Sequence, residues 1–459
     1  MKKGYADKMK IMKLGPIKQL DISLDRLNLF VGQNGTGKTI AAYAIYSFVE
    51  WLVNQYEPHI LDRMQLDQLV KEQQLVLPYK EVVDAISGEV TDHFNQLPSE
   101  YFSTFFKGKG IYTPTESHIE VEKADVLAVL QTIFVFKGRR SLRWEYRVPD
   151  ELMNEAQSGE NQLQLAVQDR EWILNYYSPD VSSEDIVSIR YQQFRWLFGH
   201  EVRGLNKMFQ KLLLHSKVAY LPAERIGIDV FRTDLNLSRL NRFNEWVRGN
   251  QLAANAKKVY PQPIEDYISF LNNTLRLDTQ KREATWQPAL RLMQSLVPGQ
   301  FVYQTETDTL GYQLPNQEGV VDFELLSSSL KSNLGLELFL RHGEQGDWLF
   351  VDEPEMNLHP ANQVKMAELQ YQLLKLGVGQ VISTHSDYYL KALINEVLAD
   401  RLAGNDQAKQ IAVYEFTNDG VRPLPNLFND SINDSFDDVT NAINDRYYDL
   451  MEQLTDEEE

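Results

Sequence analysis

Apolar residues near the start of the chain fall into three short runs, at 10–14, 19–24 and 27–31, each of strand length, and the third closes on Gly32. From Gly37 the spacing turns helical and holds to about residue 54. A helical pattern continues over 57–106, broken by Pro58, Pro78 and Pro98. Strand-like runs follow at 118–122, 132–136 and 141–148, the last two predicting a hairpin across 137–140. Residues 150–297 read as mostly helical, with the strongest helix over 184–215 and one strand, 218–221, that stops at Pro222. Beyond residue 300 come strands at 301–305, 310–314 and 320–325 and a helix over 330–341. The chain then alternates: strand 348–351, helix 361–376, strand 380–383, helix 387–403, strand 411–416. Such alternation predicts a parallel sheet with helices on its faces.

Sheet-forming segments therefore stand at both ends of the chain. An α/β core split between 1–56 and 300–428 accounts for this better than serial domains do. It leaves a large, mainly helical insertion over 57–299, with a β hairpin and one or two core strands, and an acidic helix and tail over 429–459. A length of 459 residues suits this division, at roughly 100–200 residues per domain.

Composition removes several classes of function. With 43% hydrophobic residues a sizeable core is assured and wholesale disorder excluded. Zero cysteines exclude disulfides, thiolate metal sites, iron–sulfur clusters and a cysteine nucleophile. The lysine-rich start runs into Gly15-Pro16 without an apolar core segment, so no signal peptide is expected there. The longest apolar stretch, 40–53, contains Glu50 and is too short to cross a bilayer. The expectation is a soluble, cytoplasmic protein with no membrane partner. Net charge is −19, and residues 430–459 hold eleven acidic side chains against one basic, Arg446. Phosphate backbones need clustered cations, so any DNA contact must be local.

Gly32-Gln33-Asn34-Gly35-Thr36-Gly37-Lys38-Thr39 fits GxxxxGK[ST] in the required setting, with an apolar strand leading in and a helix leading out. Glycines let backbone N–H groups curl around phosphate oxygens, and the helix N-terminus adds partial positive charge. Lys38 would reach the β- and γ-phosphates of ATP, and Thr39 would offer its hydroxyl to Mg²⁺. The continuous apolar run 348–351 reads as a strand buried on both faces, ending in Asp352-Glu353-Pro354-Glu355. At the carboxyl end of a central strand, Asp352 would hold the Mg²⁺ hydration shell and Glu353 would deprotonate the attacking water. Alone, an acidic pair after a strand is as well read as a helix cap; beside the phosphate loop the catalytic reading prevails. His385 follows the next strand, where it would meet the γ-phosphate or the water, or else cap a helix.

On these residues the chain resembles ABC-type P-loop ATPases, of the branch that includes SMC and recombination-repair heads. The resemblance covers roughly 8–55 and 300–416 and adds Asn357-Leu358-His359-Pro360 and Ser383-Thr384-His385-Ser386. It implies a signature loop about one helix before the Asp-Glu strand, where Leu326-Ser327-Ser328-Ser329-Leu330-Lys331-Ser332 stands. In that family the loop serves the partner subunit's ATP across a head-to-head dimer, which assigns Ser327 and Ser328 in trans. Ser329 replaces the family's glycine, a departure that puts close backbone approach in doubt. A serine-rich helix cap is the alternative. The family's Q-loop glutamine would be Gln131, Gln192 or Gln193.

Within that branch the layout resembles overcoming-lysogenization-defect ATPases, and in size the stand-alone anti-phage defence ATPases PtuA and AriA. Tyr220-Leu221-Pro222-Ala223-Glu224-Arg225 is similar to a segment of that group. It implies that Arg225 touches nucleotide or interface, unless it merely pairs with Glu224. The resemblance implies an ATP-driven switch acting as a homodimer or higher oligomer on a partner effector, a nuclease or toxin. Too little chain follows residue 416 for the nuclease domain of the larger relatives, and Asp437-Asp438 reads as part of a solvated acidic helix or a dock for a basic partner. A basic cluster, Lys137, Arg139, Arg140, Arg143 and Arg147 interleaved with Phe136, Trp144 and Tyr146, reads as a solvated hairpin face or as a DNA or partner contact. A DNA-repair ATPase that senses DNA ends is the competing function. A transporter motor is disfavoured by the large insertion and the missing glycines.

Overall fold

The computed structural model describes residues 8–451 apart from 60–62, 108–109, 134–139, 148–159, 169–170, 178–215, 248–259, 278–281, 318, 406, 426–427, 429–440 and 449–450. In chain order the first strands are β1 (Met9–Leu14), β2 (Ile17–Ile22), β3 (Leu27–Gly32), β4 (Gln74–Pro78) and β5 (His118–Glu120). Then come β6 (Arg140–Arg147), β7 (Glu160–Gln168), β8 (Glu171–Tyr177) and β9 (Val218–Leu221). The last are β10 (Gln300–Gln304), β11 (Thr309–Gln313), β12 (Val320–Asp322), β13 (Trp348–Asp352), β14 (Gly379–Ser383), β15 (Ile411–Thr417) and β16 (Gly420–Pro423).

The central sheet has the order β16-β15-β3-β14-β13-β9. Its five neighbours from β15 to β9 run parallel, and β16 turns back antiparallel at one edge. The fold is thus the α/β class that the strand–helix alternation predicts, a mixed, largely parallel sheet with helices on both faces. Side chains alternate across the pleat, and the sheet sorts them into two cores. Phe30, Phe350, Val381, Tyr220 and Phe416 face one side. Leu29, Val31, Val351, Ile382, Leu221 and Val413 face the other. Burial on both faces is why these strands read as continuous apolar runs.

The first core is roofed by the helix Lys38–Asn54, in which every side chain from Ala41 to Val53 is buried. A helix apolar all round belongs inside a protein, and this one lies between the central sheet and Phe94, Phe102 and Phe105 of the following helices. Beside it stands an antiparallel sheet, β2-β1-β5. The second core is closed by the helices Gln262–Thr274, Gln287–Leu296, Leu334–His342, Pro360–Lys375 and Asp387–Leu402. No helix among the described residues is long and apolar enough to cross a membrane.

The span 57–299 departs from its helical reading in three places. Strand β4 interrupts the first helical stretch, and β7 and β8 replace the start of the second, building the antiparallel sheet β4-β8-β7-β6. Thr132 and Ile133 end the helix Lys123–Ile133 instead of opening a strand, β6 pairs with β7, and the rest of the predicted 132–136 strand lies outside the described residues. The apolar run there has helical neighbours at Val126, Val129 and Leu130, all fully buried, and this periodicity outweighs the β-branched residues. The predicted 184–215 helix lies outside the described residues, as do Phe136, Lys137 and Arg139. Strand 218–221 is the edge strand β9 of the central sheet, paired with β13. Residues 441–448 form a helix whose side chains are all exposed.

Candidate functional site

Three adjacent strand ends define the site. β14 lies between β3 and β13, and Ser383 at its end pairs with Phe30 on one side and Asp352 on the other. The phosphate loop after β3, His385 after β14 and Glu353 after β13 consequently open on one crevice, the usual ligand position in an open α/β sheet. A cleft of about 240 Å³ results, lined by Asn34, Gly35, Gly37, Lys38, Thr39, Ile40, Glu353, Ser383 and His385.

The loop's shape follows from its glycines. Gly32 sits at φ +121°, and a Cβ there would collide with the Phe416 carbonyl of β15. Gly37, at φ +106°, opens the helix, and a Cβ on it would come within 2.8 Å of Ile17. Lys38 is buried, and its Nζ donates to the carbonyls of Gly32 at 2.9 Å and Gln33 at 2.6 Å. The ammonium thus rests on the inner wall of the loop. Burial lowers its pKa to about 8, against the opposing pull of Glu353, Asp352 and Glu355.

Asp352 is buried and held from both sides. Its carboxylate accepts from Tyr220 Oη and from Ser383 Oγ, each at 2.6 Å. Burial raises its pKa to about 6, the two hydroxyls working against the shift. Tyr220 is fixed in turn by rings: it meets Tyr43 and Tyr46 edge-on and stacks on Phe350. Glu353 has the left-handed backbone φ of +49°, rare for a residue with a long side chain. Its N–H donates to the Ser383 carbonyl at 2.9 Å, and its carboxylate lies 3.7 Å from His385 Nε2. Burial and the neighbouring Lys38 charge push the His385 pKa below the ordinary imidazole value, against the pull of Glu353, and this downward shift favours the neutral ring. Glu355, also buried, accepts the His385 N–H at 2.7 Å and so sets the loop on which that ring stands.

Lys38, Thr39, Gly35, Gly37, Asn34, Glu353 and His385 are thus brought together, and Asp352 lies directly beneath. Ser327 and Ser328 are not part of this cleft: both are exposed, and Ser327 Oγ caps its own helix by accepting from Leu330 N–H at 3.3 Å. Ser329 needs no glycine conformation, since it is helical within Ser328–Lys331. The helix expected over 330–341 is two, Ser328–Lys331 and Leu334–His342. Gln131 is exposed on the helix Lys123–Ile133, away from the cleft lining, and Gln192 and Gln193 lie outside the described residues. His359 caps the helix Pro360–Lys375 through Nδ1.

Sequence reasoning missed the hydroxyls of Tyr220 and Ser383 as holders of Asp352, although both stand in segments it singled out. It also misread Arg225, whose guanidinium is buried against backbone carbonyls and not paired with Glu224.

The donor set fits a nucleotide with its magnesium. Among the described residues no three acidic or histidine side chains cluster as a metal cage. An ion held by one hydroxyl, one carboxylate and phosphate oxygens needs none, which is the usual manner for Mg²⁺. The Lys38 charge makes a pH prediction. Below about pH 8 the ammonium is already charged and binding is level; above it, binding an anion must first restore the proton. ATP affinity should fall by up to about tenfold between pH 8 and 9, with proton uptake that calorimetry in two buffers reads. A flat profile without uptake would contradict the assignment.

Residues 251–390 match a family model described as AAA ATPase domain. This span holds the Asp352-Glu353 turn and His385 but not the phosphate loop. No curated protein matches the chain by sequence. Solved structures with similarity include an SMC head bound to the C-winged helix domain of ScpA, at 10% identity over 92% of this chain and 98% of that one, TM-score 0.30. The SMC head domain from Thermotoga maritima gives 10%, 92%, 98% and 0.29. An Smc head domain with an extended coiled coil, bound to the C-terminal domain of ScpA derived from Pyrococcus furiosus, gives 12%, 91%, 95% and 0.30. At such scores the likeness carries no weight, and the fold rests on the sheet order and register above.

Proposed function

We propose that this chain is a magnesium-dependent ATPase of ABC type that works as a molecular switch. Two copies close head to head on ATP, and hydrolysis opens them. The single observation that carries this reading is the convergence of Lys38, Thr39, Glu353 and His385 on one cleft at three neighbouring strand ends, with Asp352 bonded to Ser383 of its lining. The match of residues 251–390 to an AAA ATPase domain supports it.

In this reading Lys38 leaves the Gly32 and Gln33 carbonyls and donates to the β- and γ-phosphates. Thr39 and Asp352 would hold magnesium, which when bound offsets the charge developing on the transferred phosphoryl group. Glu353 takes the proton of the attacking water, and the neutral His385 ring orients that water or the γ-phosphate. Gly35, Thr36 and Gly37 offer backbone N–H groups at the helix start. Ser327 and Ser328, exposed and outside their own chain's cleft, are free to meet the nucleotide of a second copy.

The partner would be an effector, a nuclease or toxin, in a prokaryotic anti-phage defence system, with the protein in the cytoplasm. The motif resemblance to the overcoming-lysogenization-defect branch, PtuA and AriA included, supports that role. Sedimentation tests the switch: with magnesium and a non-hydrolysable ATP analogue the mass should double, and with ADP it should not. An unchanged mass would sink the head-to-head reading. The second reading, an SMC-like ATPase acting on DNA, draws on β6, which carries Arg140, Arg143 and Arg147 within eight residues. Co-sedimentation with duplex DNA at physiological salt would favour it.

A further inference from the structure

Arg225 makes a set of bonds that the proposed reaction has not used. It follows β9 at the start of the helix Arg225–Val230 and is 2% exposed. Its Nε donates to the Ser332 carbonyl at 2.9 Å. One terminal nitrogen donates to the carbonyls of Pro222 at 3.0 Å and Asp352 at 2.8 Å, and the other to that of Glu353 at 2.8 Å. A guanidinium is rigid and planar, so the positions of these acceptors are fixed relative to one another.

The acceptors belong to two different functional segments. Asp352 and Glu353 form the acidic turn under the nucleotide cleft. Ser332 ends the serine segment, whose interior is tied to the same point: Ser332 Oγ and Asn333 Nδ2 both donate to the Ser329 carbonyl, at 3.0 and 2.7 Å. Gly335, one turn on, is pressed against β9, since a Cβ there would meet Leu221 and the Tyr267 hydroxyl at 2.8 Å. The serine segment cannot shift as a body without moving the Arg225 fork.

Glu353 depends on the same fork. Its left-handed backbone is strained for a residue with a long side chain and persists only where surroundings over-determine it. Here its N–H is held by the Ser383 carbonyl and its own carbonyl by Arg225. These two bonds fix the direction in which its carboxylate leaves the chain.

We infer that Arg225 is a positioning residue that links the serine segment to the Asp352-Glu353 turn, so that occupation of a chain's own cleft is felt at the segment it presents to a second copy. The inference rests on the ATPase reading above and adds communication between two nucleotide sites. Arg225 touches no reacting atom; it acts through two carbonyls on one side and one on the other.

Amide hydrogen exchange tests the link, at protein concentrations low enough that ATP causes no association. In the wild-type chain, a non-hydrolysable ATP analogue with magnesium should slow exchange at least threefold over residues 327–335, which lie outside the cleft. Arg225→Lys keeps the charge but loses the fork. It should bind the analogue within threefold of wild type, abolish that slowing and lower kcat at least tenfold with KM nearly unchanged. A merely structural role would lower Tm while leaving kcat and the remote slowing coupled to binding as before, and that result overturns the inference. Should Arg225→Lys fail to fold, the wild-type exchange alone decides, because binding without slowing at 327–335 overturns the link. A wild-type chain that binds no nucleotide removes the ATPase reading itself, and the link with it.

Discussion

Lys38→Met should abolish measurable ATP binding while leaving the fold intact. The side chain supplies charged hydrogen bonds to two phosphates, each worth about 1.5–3 kcal/mol, so affinity should fall about 100-fold or more. Unfolding would not account for such a loss. Lys38 is buried at a desolvation cost that depresses its pKa, and methionine fills much of the same space without the charge. What it gives up are bonds to the carbonyls of Gly32 and Gln33, and Gln33 is exposed enough for water to replace the second. Calorimetric titration with ATP, paired with thermal unfolding, checks both halves. Binding within tenfold of wild type would mean that the loop does not cradle phosphates.

Replacing Glu353 with glutamine should separate binding from turnover. The amide is nearly isosteric, retains the backbone bonds to Ser383 and Arg225, and cannot accept the water proton. A positioned general base contributes about 10²–10⁴-fold, so kcat should fall by that factor with ATP affinity within a few-fold of wild type. The ATP-bound form would then accumulate, and the doubled mass expected with a non-hydrolysable analogue should appear with ATP itself. Turnover close to that of wild type would remove Glu353 from the chemistry and leave its proximity to His385 a matter of packing.

Residues that stand next to one another in sequence were legible as chemistry, and residues joined only by the fold were not. Gly32–Thr39 announces itself because the turn needs glycine and the phosphates need lysine and threonine within one helical turn. Asp352 and His385 could be placed because each follows an apolar run long enough to be a buried strand. Their common cleft depends on β14 inserting between β3 and β13, which alternation suggests and only the register fixes. Arg225 shows the limit. An arginine after a glutamate reads as a surface pair, yet three of its four carbonyl partners lie more than a hundred residues away, and backbone acceptors leave no mark on a sequence. The antiparallel sheet containing β7 and β8 was hidden for a different reason. Stretches such as Gln162-Leu163-Gln164-Leu165 alternate as strands do, but they are flanked by long helical patterns that dominate a wider window. Thr132 and Ile133 erred the other way, two β-branched residues masking the end of a buried helix.

One nucleotide with its metal, seated between residues from the two ends of the chain, underlies every role assigned above. Titration of the wild-type protein with ATP, in magnesium and again in EDTA, beside Thr39→Ala and Asp352→Asn, measures this directly. Magnesium should tighten ATP binding by the wild type at least tenfold, and each substitution, one from either side of the cleft and more than three hundred residues apart, should erase that gain. A wild-type affinity that is the same with and without magnesium, or a gain that survives both substitutions, would contradict it.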